Sequence, residues 1–105
     1  MAQFDVYKNP GRQREAIPFF VSLQNQRFDR GPSRFVAPLV LRRLAEMEPH
    51  YLAPHFTVAG FELVLDVFNL ATLPANRLGE AVASLGDEES RSKIIRAIDE
   101  LISQV

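Results

Sequence analysis

Short stretches of alternating or apolar residues, each bounded by turn-forming residues, recur along this chain and constrain its fold more than any other feature. In Gln3–Lys8, for example, Phe4 and Val6 fall on the same face. A period of two is typical of strands that bury one side. Further stretches that we interpret as strands are Ile17–Gln24, Arg34–Leu41 and Phe61–Phe68. The sequence therefore predicts a mainly-β fold of short strands.

A β-hairpin is predicted in the middle of the chain. His55–Val58 and Phe61–Phe68 flank the dipeptide Ala59-Gly60, in which glycine tolerates the positive φ of a tight turn. One strand carries a constraint of its own, because Pro38 lies within Arg34–Leu41. Since proline cannot donate a ladder hydrogen bond, we expect that strand to be bulged or at an edge near this point.

The last part of the chain has the period of an α-helix. The tripeptide Asp87-Glu88-Glu89 favours a helix start, because carboxylates complement the free N–H groups and the dipole at a helix N-terminus. Helical spacing places one set of apolar residues on a single face, with Ile95 beside them. These residues are Ile94, Ile98, Leu101, Ile102 and Val105. Helical spacing also marks Leu41–Met47 and Ala75–Leu85. The predicted fold is α+β but mainly β: a small SH3-like, barrel-like antiparallel sheet with a C-terminal α-helix.

Length and composition favour one small intracellular domain. The chain has 105 residues, which fits a single domain over 1–105. It has no cysteine, so neither a disulfide framework nor a thiolate metal site is available. No apolar run approaches the roughly 18 residues of a membrane span, and the N-terminus lacks the pattern of a signal peptide. We expect a cytoplasmic protein with no membrane partner.

Charge is distributed unevenly along the chain. Residues 1–43 hold eight Lys/Arg against three Asp/Glu, and residues 44–105 hold four against ten. The overall net charge of −1 argues against strong nucleic-acid binding through bulk charge. The arginine excess in the first part suits an acidic partner, since a guanidinium group pairs well with carboxylates.

Catalytic and metal-binding patterns are absent from the sequence. His50 and His55 flank Pro54, with no further ligand at a fitting distance, so we interpret them as ordinary histidines. No serine lies in a nucleophile-elbow pattern and no glycine-rich loop matches a phosphate cradle. The pair Glu88-Glu89 is better explained as the first turn of a helix than as an acid/base pair. We therefore expect no metal, no other cofactor and no enzymatic activity.

The order and spacing of several short segments resemble the CcdB-type toxins. These segments are Gln3–Tyr7 (QFDVY), Phe20–Gln24 (FVSLQ), Arg34–Leu39 (RFVAPL), Leu52–Pro54 (LAP), Thr72–Pro74 (TLP), Gly79–Leu85 (GEAVASL) and Ile94–Asp99 (IIRAID). Each segment is short and built of common residues, so their joint order carries the resemblance. It covers nearly the whole chain.

The resemblance implies both a fold and a function. The family folds as a barrel-like sheet with a C-terminal helix, similar to the MazF-type ribonuclease toxins, which makes Ala75–Leu85 strand and loop instead of helix. The implied protein is a homodimeric, non-enzymatic toxin of a type II toxin–antitoxin system. It binds the A subunit of DNA gyrase, traps the cleaved-DNA complex and is neutralised by a CcdA-like antitoxin with a disordered segment. It meets DNA only indirectly, through gyrase or the antitoxin, and it uses no cofactor.

The resemblance also implies a set of gyrase-binding residues, five of them at the end of the chain and two between the second and third predicted strands. They are Arg27, Phe28, Asp99, Ile102, Ser103, Gln104 and Val105. Gln104 stands where the family has glycine, and Asp99 stands where it has asparagine. Glycine permits close backbone approach or a positive φ, both of which are costly for glutamine.

The residues themselves support a homodimer independently. Phe20, Val64 and Phe68 fall on the nominally polar faces of the predicted strands. A monomer would leave their apolar area exposed, and such area marks an interface.

Two other functions remain open at the level of sequence. One is an RNA-cleaving toxin on the same fold, which would need an arginine beside a proton acceptor in a basic groove. The candidate arginines are Arg12, Arg14, Arg27, Arg30 and Arg34. The other is a gyrase-inactive homologue that acts only as a binding module.

Overall fold

A computed structural model describes residues 3–24, 27, 31–45 and 50–103. Over these residues the chain forms seven strands and one α-helix. The strands are β1 (Asp5–Lys8), β2 (Phe19–Ser22), β3 (Ser33–Leu41), β4 (His55–Val58), β5 (Phe61–Leu65), β6 (Ala71–Pro74) and β7 (Ala83–Ser84). The helix, α1, spans Glu88–Ile102. Single 3-10 turns occur at Arg42–Leu44, Val67–Asn69 and Ala75–Arg77. The predicted mainly-β fold with a terminal helix is confirmed.

All the strands pair antiparallel in one sheet, in the order β4-β5-β3-β2-β1-β7, and β6 also pairs with β3. The sheet curls into a nearly closed barrel. Its organising strand is β3, which is nine residues long. One side of β3 pairs with β2. The other side pairs first with β6, where Val36 faces Ala71, and then with β5, where Leu39 faces Leu65.

Pro38 lies where β3 changes partner. On the side of β3 that faces away from β2, pairing with β6 extends as far as Val36. Pairing with β5 begins at Leu39 of β3. The Pro38 carbonyl accepts from the Asp66 N–H, which is 3.0 Å away, beyond the end of β5. The N–H and C=O of a strand residue point to the same side of the strand. The N–H group that proline lacks would therefore point to the gap between β6 and β5, where no ladder partner is paired with it. Of the two predicted alternatives, a bulge or an edge position, the edge position was wrong, because β3 lies inside the sheet. A break between two neighbouring strands accommodates the proline instead.

The inward faces of the strands and one side of α1 form the core. Leu39, Leu63 and Ile94 are fully buried within it. A smaller cluster lies outside this core, where Tyr7 packs with Val36 and Leu78 and where Phe20 is half-buried against them.

The predicted hairpin is confirmed with its turn. Ala59 and Gly60 have φ angles of 52° and 83°, and Val58 pairs with Phe61 across the turn. Two consecutive positive φ values define a type I′ turn, whose twist matches that of the flanking strands. β5 ends at Leu65, earlier than predicted, because Asp66 begins a 3-10 turn and accepts from the N–H of Phe68, which is 3.0 Å away.

In their described parts, the two internal segments with helical spacing form no α-helix. In Leu41–Met47 the described part contains only the 3-10 turn Arg42–Leu44, and Ala45 is already extended. In Ala75–Leu85 a 3-10 turn is followed by β7, which pairs with β1. The helical interpretation of this second segment was wrong, and the strand and loop implied by the family resemblance are present.

The terminal helix begins where the sequence predicts. The Asp87 carboxylate caps it by accepting from the Ser90 N–H, which is 3.0 Å away. Hydrogen bonds from the Ser90 N–H and hydroxyl hold the pKa of Asp87 below its ordinary value of 3.8. Ile94 and Ala97 are the buried residues of α1, whereas Ile102 is 68% exposed. Ile102, which helical spacing places on the same face as Ile94, is therefore outside the buried stripe, and Val105 lies outside the described residues. In the described part of the chain, no helix is both long and apolar enough to cross a membrane.

Candidate functional site

The last turn of α1 forms an exposed surface. Asp99, Ile102 and Ser103 are all exposed there. Residues three and four positions apart lie side by side on a helix, so Ile102 and Ser103 both neighbour Asp99. The Ser103 N–H closes the turn by donating to the Asp99 carbonyl, 2.8 Å away. Three of the sequence-predicted residues thus form one small exposed surface, in which the aliphatic Ile102 and the polar Ser103 lie beside Asp99.

This surface stands on a fixed support. Ile98 and Leu101 alternate with the exposed residues and pack against the barrel core. They follow the fully buried Ile94 and Ala97 along the same side of the helix. Apolar packing against the core therefore holds the last turn of α1 in position. A partner that buries Ile102 meets a largely preformed surface.

Basic side chains of α1 lie over aromatic rings of the barrel. Arg91 lies 5.8 Å from the centre of the Phe4 ring, and Lys93 lies 4.5 Å from that of Phe56. Arg96 lies over the Tyr51 ring, with its guanidinium carbon 3.5 Å from the ring centre. Such cation–π contacts add to the apolar packing of the helix.

Sequence analysis predicted four further residues for this surface. Arg27 has an exposed side chain in the connection between β2 and β3. Phe28, Gln104 and Val105 lie outside the described residues. Sequence reasoning missed Tyr51 and Arg96, because their contact joins the segment before β4 to the terminal helix and no local pattern indicates it.

A separate cavity of about 260 Å³ lies between the β1–β2 connection and the 3-10 turn after β6. Arg12 and Arg77 line it, together with the apolar side chains of Ile17, Phe20 and Leu73. No aspartate, glutamate or histidine is among the described residues that line it. These residues offer positive charge over an apolar floor and no group that accepts a proton near neutral pH.

The described residues show no cluster suited to a metal ion. No three His, Cys, Asp or Glu side chains among them come together as ligands. His50 Nδ1 accepts from the Leu52 N–H, 3.2 Å away, and its ring lies 5.3 Å from that of Tyr51. His50 is therefore engaged within its own turn.

Comparison with known proteins places the chain in a family. The family model described as CcdB protein matches residues 3–103. The chain belongs to the CcdB family. No curated protein matches the sequence. Among solved structures, an endoribonuclease in complex with its cognate antitoxin from a mycobacterial species is similar over 100% of this chain and 99% of that one, with a TM-score of 0.74 and 12% sequence identity. At this identity the likeness concerns the fold.

The match to the CcdB family includes the exposed end of α1. The match runs through every described strand and through α1 to Ser103. It therefore includes Asp99, Ile102 and Ser103. Membership supports a toxin of a toxin–antitoxin system, as the resemblance implied, and it leaves the target of that toxin open.

Proposed function

We propose that this protein is the toxin of a type II toxin–antitoxin pair and that it binds the A subunit of DNA gyrase and traps the cleaved-DNA complex. It acts without catalysis or a cofactor, in the cytoplasm, and meets DNA only through gyrase or the antitoxin. The observation that carries the proposal is Ile102, a large aliphatic side chain left 68% exposed on a supported helix end in a chain of the CcdB family. Its exposure on a supported helix end makes Ile102 available for burial by a partner, and family membership gives that exposure its significance.

A homodimer is part of this proposal. Of the three apolar residues that suggested it, Phe20 is half-buried and Val64 is buried within the monomer. Phe68 remains 55% exposed, beside a cavity of about 250 Å³ with largely aliphatic walls. The surface around Phe68 is therefore our candidate for the contact between two copies. Sedimentation that gives only monomer at micromolar concentration would contradict it.

A CcdA-like antitoxin with a disordered acidic segment is the proposed regulator. The arginine excess of residues 1–43 supports an acidic partner through charge complementarity. Ordering a disordered segment costs entropy, so such a segment needs a large wrapped surface to bind tightly. Titration of the purified toxin with the product of the neighbouring short reading frame tests this partner.

Controlled expression in a gyrase-dependent bacterium tests the target. We expect growth arrest with accumulated gyrase–DNA cleavage complexes, and loss of both with Ile102→Ser at unchanged protein level. Val82→Ser is the matched control, because Val82 is an exposed aliphatic residue in the segment before β7. Growth arrest without cleavage complexes would exclude gyrase poisoning.

The terminal residues offer a second test of the same target. Gln104 occupies the position of the family glycine and lies outside the described residues. Gln104→Gly should strengthen binding to the A subunit of gyrase if the glutamine hinders close approach. Unchanged affinity would show that the helix end tolerates the larger residue.

RNA cleavage is the second candidate function, because the similar solved structure is named an endoribonuclease. Among the candidate arginines, Arg12 lines the cavity between the β1–β2 connection and the turn after β6. Arg34 is buried and donates to the carbonyls of Gly31 and Ser33, 2.7 and 3.0 Å away, which gives it a structural role. Arg14 is exposed, and Arg30 lies outside the described residues. Incubation of the purified protein with RNA decides the matter, since cleavage that Arg12→Gln abolishes would favour the enzyme.

A further inference from the structure

The stack of Arg96 on Tyr51 fixes the direction of a charged group. The guanidinium carbon lies 3.5 Å from the centre of the ring, a distance that brings the two groups into direct contact. Stacking uses the flat face of a guanidinium and leaves its N–H edges available for planar acceptors. Tyr51 itself is 52% exposed, so the pair lies at the surface.

The N–H edges of Arg96 are not taken up by an acidic side chain of the described structure. Asp99 and Glu100 follow three and four positions later on α1, where helix neighbours commonly form ion pairs. No ion pair of Arg96 is found within residues 3–24, 27, 31–45 and 50–103. Among the described residues, the stack on Tyr51 therefore holds the guanidinium in place without an acidic partner for its N–H groups.

The pair adjoins the exposed end of the helix. Arg96, Asp99 and Ser103 recur at intervals of three and four residues, so they share one side of α1. Tyr51 reaches this side from the segment before β4, and His50 packs against its ring. An aromatic ring and an oriented arginine thus extend the surface formed by Asp99, Ile102 and Ser103.

We propose that Tyr51 and Arg96 are part of the target-binding surface, with Arg96 binding a carboxylate of the protein target while Tyr51 packs beside it. This inference rests on the proposed function, in which the end of α1 binds the A subunit of gyrase. Tyrosine and arginine are enriched among the residues that dominate protein interfaces. An arginine held in its bound direction before association loses less conformational entropy on binding.

The chemistry around the pair favours a protein over nucleic acid. Asp99 and Glu100 are both exposed on the same turn, and their charges oppose the closely spaced phosphates of a nucleic-acid backbone. A single carboxylate in a bidentate contact with Arg96 meets less of this repulsion. The exposed ring of Tyr51 also provides an apolar contact next to the charge.

Binding of the toxin to the purified A subunit of gyrase, measured by calorimetry at low and high salt, tests the proposal. Arg96→Gln should weaken binding by about 30-fold, the loss typical of a dominant interface residue, and should reduce the salt dependence. Arg96→Lys should fall between wild type and Arg96→Gln, because lysine keeps the charge but lacks the planar fork. Tyr51→Phe should bind like wild type, and Tyr51→Ala should weaken binding.

The matched control is Arg91→Gln. Arg91 is an exposed arginine of the same helix that also lies over an aromatic ring, that of Phe4, but it lies near the other end of α1. Its substitution should leave affinity within about twofold of wild type, as expected outside an interface. Thermal unfolding of every variant separates binding from stability.

Each outcome decides a different point. If wild type binds gyrase and Arg96→Gln binds equally well, or weakens only in proportion to a loss of folded protein, the inference is wrong and the proposed function stands. If wild type does not bind gyrase, the proposed function is wrong and the inference falls with it. If wild type binds free DNA and Arg96→Gln abolishes that binding, the ligand is a phosphate and the carboxylate assignment is wrong.

Discussion

Lys93 Nζ donates to the carbonyl of His55 over 2.6 Å and lies 4.5 Å from the centre of the Phe56 ring. His55 and Phe56 begin β4, which is the last strand at one side of the sheet. Edge strands carry backbone groups without a ladder partner. One lysine of α1 therefore satisfies a carbonyl of the edge strand and joins the helix to the barrel.

Lys93→Met should lower the free energy of unfolding by about 1–2 kcal/mol, because it removes a charge-assisted hydrogen bond and a cation–π contact while retaining the apolar stem. Lys8→Met is the control, since Lys8 is exposed at the end of β1. Urea unfolding of both variants measures the difference. Equal stability of the two variants would mean that the contact of Lys93 with β4 is energetically neutral.

Asp87 should make the stability of the protein depend on acid pH. Its pKa is lowered from 3.8 in the folded state by hydrogen bonds from Ser90. The stabilisation is therefore complete well above pH 3.8 and is lost as the pH falls through the folded-state value. Thermal unfolding of wild type and Asp87→Ala should differ at pH 7 and converge at strongly acid pH. Asp87→Asn, which keeps an acceptor but cannot ionise, should fall between them at pH 7. A gap that stayed constant with pH would disprove the role of this carboxylate.

In the turn of the β4–β5 hairpin, a substitution at one position should stabilise the protein and a substitution at the next should destabilise it. Ala59 has a φ of 52°, a conformation that asparagine adopts more readily than alanine. Ala59→Asn should therefore raise the free energy of unfolding by about 0.5–1 kcal/mol. Gly60→Ala should lower it by about 1 kcal/mol, and the loss would come from the backbone alone, since a Cβ there meets no atom within 4 Å. Chemical unfolding checks both, and a neutral Gly60→Ala would contradict the turn geometry.

Truncation of two isoleucines of α1 should lower the free energy of unfolding by very different amounts. Ile94 is fully buried and Ile102 is largely exposed. Ile94→Ala should cost about 2–5 kcal/mol because it leaves a cavity in the core, whereas Ile102→Ala should change stability by no more than about 0.5 kcal/mol. Denaturant titration separates the two. A large loss with Ile102→Ala would indicate that the residue supports the fold and would weaken its assignment to the target surface.

The strands and the terminal helix could be predicted because local patterns determine them. The hairpin is indicated by a glycine that tolerates the positive φ of its turn, and α1 is indicated by its acidic cap and the spacing of Ile94, Ile98 and Leu101. Ala75–Leu85 was different, since its helical spacing is overridden by long-range pairing. The N–H groups of Val82 and Leu85 donate to carbonyls of β1 and of Phe4, each 2.8 Å away, and these bonds draw the segment into the sheet.

The candidate site was predictable only in part for the same reason. The family resemblance indicated Asp99, Ile102 and Ser103, and the structure brings them to one exposed turn. The exposure of Ile102 depends on where α1 leaves the barrel, which helical spacing cannot reveal. The contact between Tyr51 and Arg96 depends on the path of the chain before β4, so no motif in either segment indicates it.

The exchange of partners along β3 has a consequence for folding. Because this strand is hydrogen-bonded to β2, β5 and β6, none of these three can detach without exposing ladder groups of the same strand. The amide protons of all four strands should therefore exchange with solvent at similar slow rates, through a single global opening. The chain must also bring together segments that are distant in sequence before β3 is complete, which predicts slower folding than in helical domains of equal size. We therefore expect sheet formation in this protein to be a single cooperative event centred on β3.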